Sequence, residues 1–169
     1  ATSGTLSSTG GILTASSLSA GDTGIINIED GTLTLPAGAT AVSGATFTTS
    51  GSTIQLGGSL NLADSWSSTN TDLSLTANAD LTSTAVVELA TLETNGFDFK
   101  LGSETSDLTV ANVFTLGSGT LSTQGADIIF ESSADISSGS TLDVSGGGKL
   151  EFQQGGTDNG TINAENATF

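Results

Sequence analysis

The chain has 169 residues, among them 28 Thr, 25 Ser and 23 Gly, with a single Pro and no Cys, Met, His, Arg or Tyr. Eighteen acids against two lysines, Lys100 and Lys149, give a formal charge of −16. A surface of this kind repels polyanions and has no basic patch with which to release phosphate counterions, which argues against nucleic acid and anionic lipid as partners. Helix formers are scarce, whereas Thr, Val, Ile and Phe favour strands and Gly, Ser, Asn and Asp favour turns, so an all-β chain with many tight corners is expected. No apolar run of the sequence reaches a membrane-spanning length, and none of its residues is expected to act as a signal peptide. The Ser/Thr-rich, lysine-poor, acidic composition suits an extracellular bacterial protein. A chain that opens on Ala1 and lacks methionine is expected to be processed or excerpted from a longer one.

In chain order, Gly4-Thr5-Leu6 reads as the remnant of a coil, and Gly11-Ile12-Leu13 as a weak copy of a phrase that Gly31-Thr32-Leu33-Thr34-Leu35 states in full. Later copies begin at Ser52, Thr71, Asn95, Gly119, Ser140 and Gly160. The first apolar residues of the copies, Ile12, Leu33, Ile54, Leu73, Phe97, Leu121, Leu142 and Ile162, lie 21, 21, 19, 24, 24, 21 and 20 positions apart. Self-similarity at this period is the signature of a stacked-repeat architecture. The chain is therefore expected to form a single parallel β-solenoid domain over 1–169, of about eight coils of 20–25 residues. Residues 1–10 form a partial first coil, 11–159 seven full coils and 160–169 an incomplete last one. Parallel crossovers prefer the right hand, so a right-handed β-helix is favoured.

Within a coil the apolar residues fall in two or three alternating clusters, such as Ile54 and Leu56, Leu60 and Leu62, then Trp66. Each is a short strand with one face inward. Leu33, Ile54, Leu73, Leu121 and Leu142 are expected in one internal stack. The longer coils carry extra residues around Ala85-Val86-Val87, which packs, and around Ser103, Glu104, Thr105 and Ser106, which protrude as a polar loop and form a contact candidate.

Catalysis on a solenoid of this type calls for clustered acids with Arg, Lys or His. With neither Arg nor His, and with its two lysines in different coils, the chain is expected not to be an enzyme. Acids spaced by eight, Asp64, Asp72, Asp80 and Glu88, then Asp127, Asp135, Asp143 and Glu151, fall on successive sides of a coil and point apart. They read as solvated corner residues rather than as a calcium site, so no cofactor is expected, with calcium possible but not favoured. The outward positions Thr32, Thr53, Asp72, Gly96, Thr120, Thr141 and Thr161 form a Thr-rich file that raises ice binding as a minor alternative, but its companion file is irregular. The Phe residues mostly occupy inward phases, and Asn159-Gly160-Thr161 and Asn166-Ala167-Thr168 match a short glycosylation pattern.

The phrases Gly31-Thr32-Leu33-Thr34-Leu35, Gly58-Ser59-Leu60-Asn61-Leu62 and Ala79-Asp80-Leu81-Thr82-Ser83 resemble the degenerate repeats of large bacterial surface solenoids, the filamentous-haemagglutinin-type adhesins and autotransporter passengers. The resemblance covers roughly residues 11–163 and implies secretion to the cell exterior and a structural or adhesive role. The leading expectation is a non-catalytic subunit of an extracellular fibre or surface rod. Its partners would be copies of itself joined head to tail through open strand edges, with Leu6, Thr161, Ile162 and Phe169 at the joint. The alternative is an adhesin that binds glycan or protein along the side of the rod; a polysaccharide-active enzyme is a minor one.

Overall fold

A four-residue alternating phrase cannot bury its own apolar residues, so it is stable only when a like phrase lies against each edge. The computed structural model describes residues 4–16, 18, 24–36, 38–39, 46–62, 66–84, 86–102 and 107–168. In chain order its strands are β1 (Thr5–Thr9), β2 (Ile12–Thr14), β3 (Ile25–Glu29), β4 (Thr32–Leu35), β5 (Gly38–Ala39), β6 (Thr46–Ser50), β7 (Thr53–Leu56), β8 (Ser59–Leu62), β9 (Trp66–Thr69), β10 (Asp72–Leu75) and β11 (Ala79–Ser83). They continue as β12 (Val87–Glu93), β13 (Phe99–Leu101), β14 (Asp107–Leu116), β15 (Thr120–Ser122), β16 (Asp127–Phe130), β17 (Ser133–Ile136), β18 (Thr141–Asp143), β19 (Leu150–Phe152), β20 (Thr157–Asp158) and β21 (Thr161–Asn163).

These strands pair in parallel with their counterparts one coil away, and the chain is an all-β parallel β-solenoid of about seven turns. It has three faces. The first carries β1, β3, β6 and β9, and continues through the N-terminal halves of β12 and β14 to β16 and β19. The second carries β2, β4, β7 and β10, then the C-terminal halves of β12 and β14, then β17 and β20. The third runs from β5 through β8, β11, β13, β15 and β18 to β21. Alternation sends every second side chain inward, and the three faces fill one continuous interior.

Leu33, Ile54 and Leu73 stack in register on the second face, and Leu13 continues that file at the first coil. Leu121 and Leu142 are equally buried but belong to the third face, in register with Phe99 and Ile162. The expectation of one shared stack is thus corrected to two. Ile12 leaves the interior altogether, at 78% exposure. The confusion has a physical source, because all three faces use the same small-polar, apolar, polar, apolar phrase. Followed in register, the second-face file steps from Leu73 to Leu92 and then to Phe114, intervals of 19 and 22 residues in place of the two of 24.

Phe47, Trp66, Phe99, Phe114 and Phe130 are interior. Trp66 packs at a tilt on Phe47 with ring centres 5.6 Å apart, and its indole N–H donates to Thr49 Oγ1 at 2.9 Å. Thr71 donates to the same oxygen at 2.8 Å, so the polar groups entering the core at this edge are satisfied. Phe114 and Phe130 stack at 4.4 Å, and Phe130 stacks on Phe152 at 5.2 Å, although Phe152 is 38% exposed. Of the apolar extra residues, Val87 is buried as expected, Val86 is exposed, and Ala85 lies outside the described residues.

Candidate functional site

The period-eight acids are distributed by the three-sided coil. Asp72, Asp80 and Glu88 stand on the second, third and first faces, and Asp127, Asp135, Asp143 and Glu151 on the first, second, third and first again. Asp64 lies outside the described residues. Carboxylates so placed diverge, and among the described residues no group of three or more His, Cys, Asp or Glu is arranged to hold a metal ion.

Several acids instead have a local structural task. Asp98 Oδ1 accepts from the Thr120 N–H at 2.9 Å, Asp127 Oδ1 from the Lys149 N–H at 2.7 Å, and Asp135 Oδ1 from the Thr157 N–H at 3.3 Å. In each case the carboxylate holds the residue directly above it, 22 positions later, at the point where a strand begins. One such clamp stands on each face. The residue before each held N–H is a glycine, and a methyl group on Gly119, Gly148 or Gly156 would collide with the carbonyl of Phe97, Ala126 or Ala134 below. In the preceding coil Asn78 substitutes for the carboxylate, accepting from the Asp98 N–H at 3.0 Å.

The two lysines stand on different faces. Lys100 stands on the third face in the file of Asp80 and Ser122. Lys149 stands on the first face, where its ammonium donates to Glu151 two residues on. That contact raises the Lys149 pKa. It also holds the Glu151 carboxyl below its usual value, helped by a hydrogen bond from the Gln153 amide.

The residues expected at a joint fall at the two ends of the described stack. Among the described residues, Leu6 is half-buried in β1, whose only partner strand is β3, and Ile162 is half-buried in β21, whose only partner strand is β18. Thr161 already donates its N–H to Ser140 O at 3.0 Å, so it belongs to the internal ladder, and the alternation of a parallel pair turns the backbone of Ile162 outward instead. Phe169 lies outside the described residues, as do Ser103, Glu104, Thr105 and Ser106. Beside Ile162, a hollow of about 250 Å³ is lined mainly by Ala134, Ile136, Phe152 and Gly156.

One site was not anticipated from the sequence. Where the first face turns into the second, at β9, β12 and β14, an open groove of about 310 Å³ is lined by Ser68, Asn70, Glu88, Ala90, Ala111 and Asn112 among others. Its residues come from three coils, so no local motif announces it. The available signal is a missing turn former: this corner has Gly10-Gly11, Asp30-Gly31, Gly51 and Asn70 in the earlier coils, then Ala90 and Ala111-Asn112.

The fold and its outer surface define the class of protein, a parallel β-solenoid with polar outer files. No protein-family model matches the chain, and no curated protein and no solved structure is significantly similar to it.

Proposed function

We propose that the chain is a structural, non-catalytic element of an extracellular bacterial rod or fibre, of the kind its repeats resemble, and that it associates end to end. The observation supporting this is the pair of end rungs. Among the described residues, β1 leaves the backbone groups of Thr5, Ser7 and Thr9 unpaired, their neighbours being spent on β3. At the opposite end, among the described residues, the edge of β21 is open beside the apolar hollow of Ile136, Phe152 and Ile162. An open parallel edge next to half-covered apolar residues is the combination that strand addition uses: the backbone supplies adhesion and the side chains supply burial. Because the two ends differ, the contact is heterologous, and repetition gives a filament unless its rotation closes a ring.

Sedimentation velocity across a concentration series, with electron microscopy of the same samples, tests the proposal. The unmodified chain should form concentration-dependent linear oligomers, and Ile162→Lys, which charges the joint while leaving the internal ladder intact, should give folded single rods. A sharp monomer boundary for the unmodified chain at every concentration, with no fibres on the grid, would overturn it.

A further inference from the structure

We propose that the groove at the first-to-second face corner, across β9, β12 and β14, binds a neutral oligosaccharide laid along the solenoid axis. In the first four coils the corner is drawn tight by residues with positive φ, namely Gly10 and Gly11, then Asp30, Gly51 and Asn70. The next two coils dispense with that turn, and Ala90 and the pair Ala111-Asn112 run through the corner inside continuous strands. The register shifts there, with one residue between Leu89 and Thr91 opposed by two between Val110 and Val113. Chain that would have turned inward is splayed along the edge, and the groove opens beside it.

The groove has the two kinds of surface that a sugar needs. Its floor is apolar, from Ala90 and Ala111 lying over the buried Leu89, and suits the C–H face of a pyranose. Its walls carry Asn70, Glu88 and Asn112, one from each of three successive coils, and the side chains of these three have no hydrogen-bond partner among the described residues. A carboxamide both donates and accepts, and a carboxylate accepts twice, which is the complement of vicinal hydroxyls. Successive coils rise by about 4.8 Å, close to the length of one pyranose along a linear glycan, so wall groups on neighbouring coils fall beside neighbouring sugars. The volume of about 310 Å³ is that of a small-ligand cleft. The charge of −16 selects against uronate and sulfated chains and leaves neutral ones. The groove lies on the side of the rod, so it stands independently of the end-to-end contact.

The test uses the whole chain, labelled with nitrogen-15 and titrated in turn with maltohexaose, cellohexaose and mannohexaose, with hexagalacturonate as the charged control. At least one neutral hexasaccharide should saturably shift the side-chain amide signals of Asn70 and Asn112, and hexagalacturonate should not. Asn70→Gly, which keeps the positive φ, and Asn112→Ala, at an exposed position, should each weaken that binding about tenfold or more while leaving the circular-dichroism spectrum unchanged. The proposal is wrong if none of the neutral hexasaccharides moves either signal at about 10 mM. It is equally wrong if the double variant binds as tightly as the parent, or if hexagalacturonate binds as well as its neutral counterparts.

Discussion

Leu73 sits at the centre of the second-face file, fully buried between Ile54 and Leu92, where nothing can solvate a polar replacement. Leu73→Asp should therefore cost more than about 3 kcal/mol, read as a fall in the urea midpoint, and an unchanged midpoint would refute the packing described above. Thr123 offers the opposite case. Its hydroxyl is buried with no hydrogen-bond partner among the described residues, so Thr123→Val removes an unsatisfied group without changing the shape of the side chain and should stabilise by about 1 kcal/mol in the same measurement. At Lys149 the charge state can be followed directly. The lysine holds the Glu151 pKa down, so the contribution of the pair is present above the ordinary carboxylate value and is lost as pH falls through the lowered one. At the alkaline side it is lost as pH rises through the raised lysine value. Lys149→Met should move the Glu151 titration, followed by carboxyl carbon-13 signals, upward; a titration left where it was would show that the contact does not persist in solution.

At the scale of the strand, what matters is which residues face in, and a slip of one position exchanges the two sides. Deleting Asn112 reduces the two-residue bulge of β14 to the single residue found at Ala90 in β12, and leaves Leu108, Val110, Phe114 and Leu116 inward on either side of it. Deleting Thr109 from the same strand puts Leu108 and Val110 in adjacent positions, so one of them must face water. The first deletion should fold with a sharp thermal transition, and the second should lose cooperativity; equal behaviour would mean that the corner, not the strand, sets the register. The Asp clamps belong to this scale as well. Asp98→Ala frees the Thr120 N–H at a cost of about 1 kcal/mol, whereas Asp98→Asn retains an acceptor oxygen and should cost less.

Alternation made the strands legible, and the coil at 51–70 could be read correctly face by face from Ile54, Leu60 and Trp66. The phase of the repeat along the whole chain was not legible. Leu73 and Leu121 carry indistinguishable phrases on different faces, and only the register of β10 on β12 and of β13 on β15 separates them. The groove escaped for a related reason. It arises where a turn residue is absent, and Ala90 and Asn112 carry no positive signal until three coils are laid side by side.

On the scale of the molecule the dominant long-range term is the charge of −16 spread along a narrow stack. About seven turns at roughly 4.8 Å each give a rod of about 34 Å. The screening length is about 30 Å at 0.01 M salt and about 8 Å at 0.15 M. At low salt nearly every carboxylate therefore repels nearly every other one along the rod, and at physiological salt each acts only on its own coil and the next. The same screening acts between rods, because an end-to-end contact brings two strongly negative bodies together. Raising sodium chloride from 0.01 to 0.15 M should consequently raise the melting temperature and shift sedimentation toward longer oligomers, and the two changes should occur over the same salt range. Since the acids diverge on three faces and several are engaged with backbone N–H groups, magnesium and calcium at matched ionic strength should reproduce the effect of sodium on both quantities. A melting temperature that climbs on adding micromolar calcium, with magnesium inert, would show that carboxylates do converge on a cation and would replace screening with specific ligation as the source of the rod's stability.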